Sequence, residues 1–228
     1  MKTPADLLNH LARYAVEESA ILNEEDSPLA ASLTIGDPRV LIITGENASG
    51  KSLVFRLIAS LARSEHKVLP VTISIRERTG AGAEGYMQRM MMFGDEVERS
   101  TGANSAGVVA RGFNNVRREE KTILALDEPE IGLSDGYAAA LGEYIGQQST
   151  QLAETCLGVM VVTHNRGLVR GIERGLGATP SFISMTEDPL TLQQWLDLDE
   201  RKTVEDLLSL GEKGMHRFRK INEILQRK

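Results

Sequence analysis

The stretch Gly45-Glu46-Asn47-Ala48-Ser49-Gly50-Lys51-Ser52 constrains the fold of this chain more than any other. Before it runs Arg39 to Thr44, apolar and rich in β-branched residues, which reads as a buried strand. After it, from Leu53 to Ala62, apolar residues recur at 54, 57, 58 and 61, a helical spacing. Strand, glycine turn and helix in that order are the setting in which G-x-x-x-x-G-K-S forms a phosphate loop. Gly45 and Gly50 let the backbone curl, so that N–H groups from Glu46 to Gly50 point inward at a polyphosphate. The helix beginning there adds its positive end. Lys51 brings a mobile cation to the β- and γ-phosphates, and the Ser52 hydroxyl is a ligand for Mg²⁺.

The length of 228 residues suits one α/β domain with a small appendage. Aromatic residues make up only 4%, so the core must be mostly aliphatic. A net charge of −6 argues against a protein that coats nucleic acid without specificity. The one cysteine, Cys156, allows no internal disulfide, and its apolar surroundings suggest a buried thiol in a reducing compartment. No apolar run approaches the roughly 20 residues of a membrane span, and the N-terminus has no signal-peptide core, so the cytoplasm is the expected location.

Along the chain, Thr3-Pro4-Ala5-Asp6 opens a helix with Leu7, Leu11, Ala15 and Leu22 on one stripe. Leu33 to Ile35 and the Arg39 run read as two strands joined by a turn at Gly36-Asp37-Pro38. Further strands are expected at Lys67–Ile75, at Lys121–Asp127, at Gly158–His164 and at Ser181–Met185. Helices are expected at Ser105–Arg118, at Gly136–Gln148 and over most of Leu190–Lys228. Between Gly80 and Gly112 glycines crowd together with Met87, Met90, Met91 and Met92. That composition fits either a segment that rearranges around a ligand or a loosely packed helical insert.

Three expected strands end in suggestive residues: the phosphate loop, the acid pair Asp127-Glu128, and His164. In an open parallel sheet, ligands bind beyond the carboxyl ends of the strands. There Asp127 would hold Mg²⁺, and Glu128 would polarise a water for attack on the γ-phosphate. His164 would contact that water or the phosphate.

Together GENASGKS, LALDEPEIGLS and VVTHN resemble the ABC-type ATPases in their Walker A, Walker B with catalytic glutamate, and switch histidine. The likeness runs from about Arg39 to His164. It implies ATP and Mg²⁺ as cofactors, with the roles already argued for Lys51, Ser52, Asp127, Glu128 and His164. It implies an α/β fold of P-loop NTPase type: a mainly parallel central sheet flanked by helices, in a single domain over 1–228. Segment 80–120 would be a reduced helical lobe, and 190–228 a helical C-terminal appendage. It further implies ATP-dependent pairing of two heads, homomeric or heteromeric, each offering a signature loop to the other's nucleotide. The usual LSGGQ is absent. Ser100-Thr101-Gly102, ahead of a helix, supplies the serine hydroxyl and glycine N–H that such a loop needs, with Ser105-Ala106-Gly107 as second candidate. Gln88 falls where the family places its Mg²⁺- and water-binding glutamine, a position equally suited to an exposed surface residue. Ser134, with Asp135 next to it, falls where transporter members carry an aspartate.

Within the family, the DEPE-x-x-L form resembles the SMC, RecF and OLD-like group and phage-defence ATPases more than transporter subunits. The missing LSGGQ, and the lack of an aromatic between Tyr14 and Phe55 to stack on adenine, point the same way. The stretch from Lys51 to Asp127 is too short for a coiled-coil arm, and too few residues follow His164 here for a nuclease domain. The expectation is therefore an ATPase that switches a soluble effector protein or DNA. The alternatives are the nucleotide-binding subunit of a membrane transporter and a module that closes on ATP without turnover. In the C-terminal helix, Met215, Phe218, Ile221 and Leu225 would form one apolar face. Lys213, Arg217, Arg219, Lys220, Arg227 and Lys228 crowd the rest, either complementing the helix's own dipole or contacting DNA or an acidic partner.

Overall fold

The computed structural model describes residues 6–74, 101–116, 119–199 and 201–227. Gln88, Ser100, the start at Thr3-Pro4 and Lys228 lie outside them, as does most of the segment from Gly80 to Gly112. The chain runs α1 (Leu7–Glu17), α2 (Ala20–Asn23), β1 (Ser32–Thr34), β2 (Asp37–Gly45), α3 (Lys51–His66) and β3 (Leu69–Ser74). It continues through α4 (Thr101–Asn115), β4 (Thr122–Asp127), α5 (Asp135–Ser149), β5 (Cys156–Val162) and α6 (Arg166–Leu176). It closes with β6 (Pro180–Met185), α7 (Leu192–Asp197) and α8 (Val204–Gln226).

The strands form one six-stranded sheet in the order β1-β6-β2-β5-β4-β3, parallel throughout except for β1. Both faces are covered, which is why the central strands read as unbroken apolar runs rather than as alternation. Alternate residues of β2 serve opposite cores. Val40 and Ile42 join Phe113, Leu141, Ile172 and Trp195 on one side. Leu41 and Ile43 join Leu8, Leu11, Phe55 and Ile58 on the other. Cys156 is buried, as expected. Among the described residues no helix is long and apolar enough to cross a membrane.

Four sequence readings change in detail. The strands around Gly36 are not neighbours, because β6 lies between β1 and β2. The first helix stops at Glu17, so Leu22 sits on the separate α2. The helix expected from Ser105 already includes Thr101 and ends at Asn115. The single apolar face expected on the last helix splits: Ile221 is buried, while Met215, Phe218 and Leu225 point to solvent.

One packing contact went unread. On α5, Gly142 and Gly146 face Gly171 and Gly175 of α6, and each presses on the other helix's backbone. A β-carbon at Gly142 would lie 2.0 Å from the Leu168 carbonyl oxygen, and one at Gly171 would lie 2.1 Å from that of Ala139. Small residues one turn apart on both helices let the two backbones touch. This contact fixes α6, and with it the His164-Asn165 corner that precedes it.

Candidate functional site

The phosphate-loop stretch is tightly wound. Gly45 has φ 149°, Ala48 φ 61° and Gly50 φ 98°. The last two lie in the left-handed region, where glycine is at ease and alanine is not. The Ser49 N–H donates to the Glu46 carbonyl at 3.2 Å. A β-carbon at Gly45 would stand 2.6 Å from Ser49 Oγ and 2.7 Å from Met185 Cβ. Gly50 caps α3 without a side-chain bond, and its carbonyl accepts from the N–H groups of Leu53 at 2.9 Å and Val54 at 3.1 Å, which leaves the first two helical N–H groups, of Lys51 and Ser52, without a residue inside the helix to donate to. Lys51 is buried, and its ammonium donates to the carbonyls of Gly45 at 2.9 Å and Glu46 at 2.6 Å. Its charge is therefore held over the mouth of the loop. Ser52 is half-buried on the first helical turn. The Thr44 and Ser49 hydroxyls are buried without a hydrogen-bond partner among the described residues.

The strand register sets the other pieces. Ile43, Val162, Asp127 and Ser74 form one row across β2, β5, β4 and β3. With strands about 4.8 Å apart, Asp127 lies roughly 10 Å along the sheet from β2, at the level where the loop begins. Ser74 Oγ donates to Asp127 Oδ2 at 3.4 Å. Glu128 follows at φ +50°, an outlier for a residue with a β-carbon that costs about 1 kcal/mol or more. Its N–H donates to the Val162 carbonyl at 2.9 Å, which ties the turn to β5. The side chain is buried, and Oε1 lies 3.5 Å from His164 Nδ1.

His164 follows β5 by two residues and is half-exposed. The Glu128 carboxylate raises its pKa above the usual imidazole value, burial and the Lys51 ammonium oppose the rise, and Glu130 adds to it. Lys51 follows β2 and His164 follows the neighbouring β5, so both stand at one rim of the sheet. Glu130 is the residue that motif reading passed over. It is buried, and burial pushes its carboxyl above the usual range. Thr163 Oγ1 donates to Glu130 Oε1 at 2.5 Å while accepting from the Asn165 N–H at 2.9 Å. Glu130 Oε2 is buried without a hydrogen-bond partner among the described residues. Asn165 in turn caps α6 by accepting from the Leu168 N–H at 2.9 Å. The available signal was a third acid, two residues beyond Glu128, beside a strand ending in threonine.

The first residues of the loop and the His164 corner border a cavity of about 640 Å³, which Lys51, Ser52, Asp127 and Glu128 do not line. Gly45, Glu46 and Asn47 form one wall, Asp135 and His164 to Gly167 a second, and Trp195, Leu198 and the start of α8 the third. The Arg166 guanidinium stacks 5.6 Å from the Trp195 ring centroid. Helix α8 crosses the loop: Lys202 pairs with Glu46 at 2.5 Å, and Arg217 donates to the Ala48 carbonyl at 2.9 Å. No sequence pattern indicated that the C-terminal segment covers the loop.

Of the expected site residues, Gly45 to Ser52, Asp127, Glu128 and His164 stand along one edge of the sheet. Gly102 lies in the first turn of α4, inside the helix rather than ahead of it. Ser105 is fully buried, with its hydroxyl donating to the Ile131 carbonyl at 2.8 Å, so it does not present a free loop hydroxyl. Gln88 and Ser100 fall outside the described residues. The donor chemistry at the edge suits magnesium, which takes one or two carboxylates and completes its shell with water and phosphate oxygens. Ser52 and Asp127 supply such a set. Among the described residues there is no cluster of three or more histidines, cysteines and acids that would hold a metal unaided. No family model matches the chain, and the curated proteins likewise yield no match.

Proposed function

We propose that this chain is an ABC-type ATPase of the non-transporter kind, which pairs with a second head on ATP and switches a soluble effector protein or DNA. One observation carries the reading: a wound glycine loop with its buried lysine shares an edge with a strained, buried glutamate paired to a half-exposed histidine. Loop N–H groups and Lys51 hold the β- and γ-phosphates. Ser52 and Asp127 hold Mg²⁺, which when bound neutralises phosphate charge. Glu128 takes a proton from a water attacking the γ-phosphorus in line, and the bond to the bridging oxygen of the ADP leaving group breaks. His164, whose hold on a proton the Glu128 carboxylate strengthens, donates to the γ-phosphate oxygens as charge shifts onto them.

Phosphate release with Mg·ATP tests this. Glu128→Gln keeps ATP binding and loses turnover by about 100-fold or more. Lys51→Ala loses binding itself. A wild-type chain that binds ATP with no turnover would leave only a binding module, and one that binds no nucleotide would end the reading. Capture of a membrane permease by the ATP-trapped Glu128→Gln form would favour transport, and capture of DNA or a soluble protein would favour the switch.

A further inference from the structure

Helix α8 has two apolar faces and uses one. Ile221 and Ile224 are buried against the body, and Gly214 rests on Ala48. On the face beside this one Leu208, Met215, Phe218 and Leu225 are 78%, 60%, 65% and 50% exposed. Positions 208, 211, 215, 218, 222 and 225 alternate steps of three and four, the seam of a two-stranded coil.

We propose that this outer face pairs with the same face of a second copy of the chain, antiparallel, about a two-fold axis between His216 and Arg217. The sequence is self-complementary about that point. Leu208 meets Leu225 of the second copy, Met215 meets Phe218, and Gly211 leaves room for the half-buried Asn222. A two-fold interface makes each contact twice. The charges agree. Glu212 and Arg219, both exposed, border the seam on its outer edge, and the antiparallel arrangement sets Glu212 of each copy beside Arg219 of the other. Parallel pairing would set Glu212 against Leu207 and Arg219 against Gly214, with no charge pair. Three of the basic side chains nearby are engaged within the chain, Arg217 on the Ala48 carbonyl, Lys213 on Asp206 and Arg227 on Asp26, which weakens the case for nucleic acid on this face. The pairing needs no nucleotide, so it stands or falls apart from the ATPase reading.

Sedimentation velocity of the full chain without nucleotide tests it. The wild type forms dimers at concentrations of about 10–100 μM. Met215→Glu with Phe218→Glu raises the dissociation constant by about 100-fold or more while the melting curve stays cooperative. Glu212→Arg and Arg219→Glu each weaken association by about tenfold, and the two together restore it. Lys51→Ala leaves the dimer as it was. A monomeric wild type, a charge-swapped double variant no better than the singles, or a dimer that requires ATP would each overturn the proposal, and association only with a different protein would do the same.

Discussion

Glu130→Gln should make the protein more stable at pH 8, although it removes a charged residue from a carboxylate-rich site. Glu130 is 6% exposed; one oxygen accepts from Thr163 and the other has no hydrogen-bond partner. An ionised, unpartnered oxygen at such depth costs about 1–3 kcal/mol. Burial raises the carboxyl's folded pKa above its unfolded value near 4.5, so the folded state binds the proton more tightly. Folding stability is therefore full below that unfolded value and falls as pH rises through the folded one. Glutamine has the same shape, still accepts from Thr163 and carries no charge, though its own amide stays partly unsatisfied. The net gain at pH 8 should be about 1 kcal/mol, or roughly 2–4 °C in a chain of this size. At pH 4.5 the two proteins should melt together. Thermal melts followed by circular dichroism at both pH values give the answer. A variant that gains no more at pH 8 than at pH 4.5 would refute the argument that burial, rather than lost hydrogen bonding, dominates at Glu130.

Three further outcomes follow from the same geometry. His164 has a raised pKa because Glu128 holds its proton, so the pair stabilises below about pH 6.5 and fades as pH climbs through the raised value. His164→Gln should destabilise the protein at pH 6 by about 0.5 kcal/mol for so exposed a ring, read as a lower melting temperature, and leave the melting temperature unchanged at pH 9. Gly171→Ala should cost about 3 kcal/mol, since a methyl group 2.1 Å from the Ala139 carbonyl oxygen can be relieved only by separating α5 from α6. Gly136→Ala, with nothing within 4 Å, should be neutral or stabilise by up to about 1 kcal/mol, and urea titration of both variants separates packing from helix propensity.

Much of the site was legible because its chemistry is local. A glycine loop must follow a strand and open a helix, and acids or histidines at the ends of apolar runs must emerge where parallel strands end. What was not legible depends on partners distant in sequence. No pattern in Leu33 to Thr44 says that β6 will separate the two strands. Periodicity groups Ile221 with Met215 and Phe218, and only the docking of α8 on the loop shows that Ile221 faces inward. Glu130 reads as one more surface acid until Thr163 arrives from β5 to bury it. The glycines at 142, 146, 171 and 175 did carry a signal in their four-residue spacing, but spacing names no partner.

The backbone contact between α5 and α6 has a mechanical consequence. Asp135 starts one of these helices and Asn165 caps the other, so both residues bordering the cavity belong to a single stiff strut with no compressible side-chain layer inside it. A push on Asp135 from outside would reach the imidazole, one strand's width from the loop that carries Lys51, almost undamped. Give in this cleft must come from its opposite side, where a wound loop meets the C-terminal segment through contacts that include the Lys202–Glu46 ion pair and the Arg217 bond to the Ala48 carbonyl.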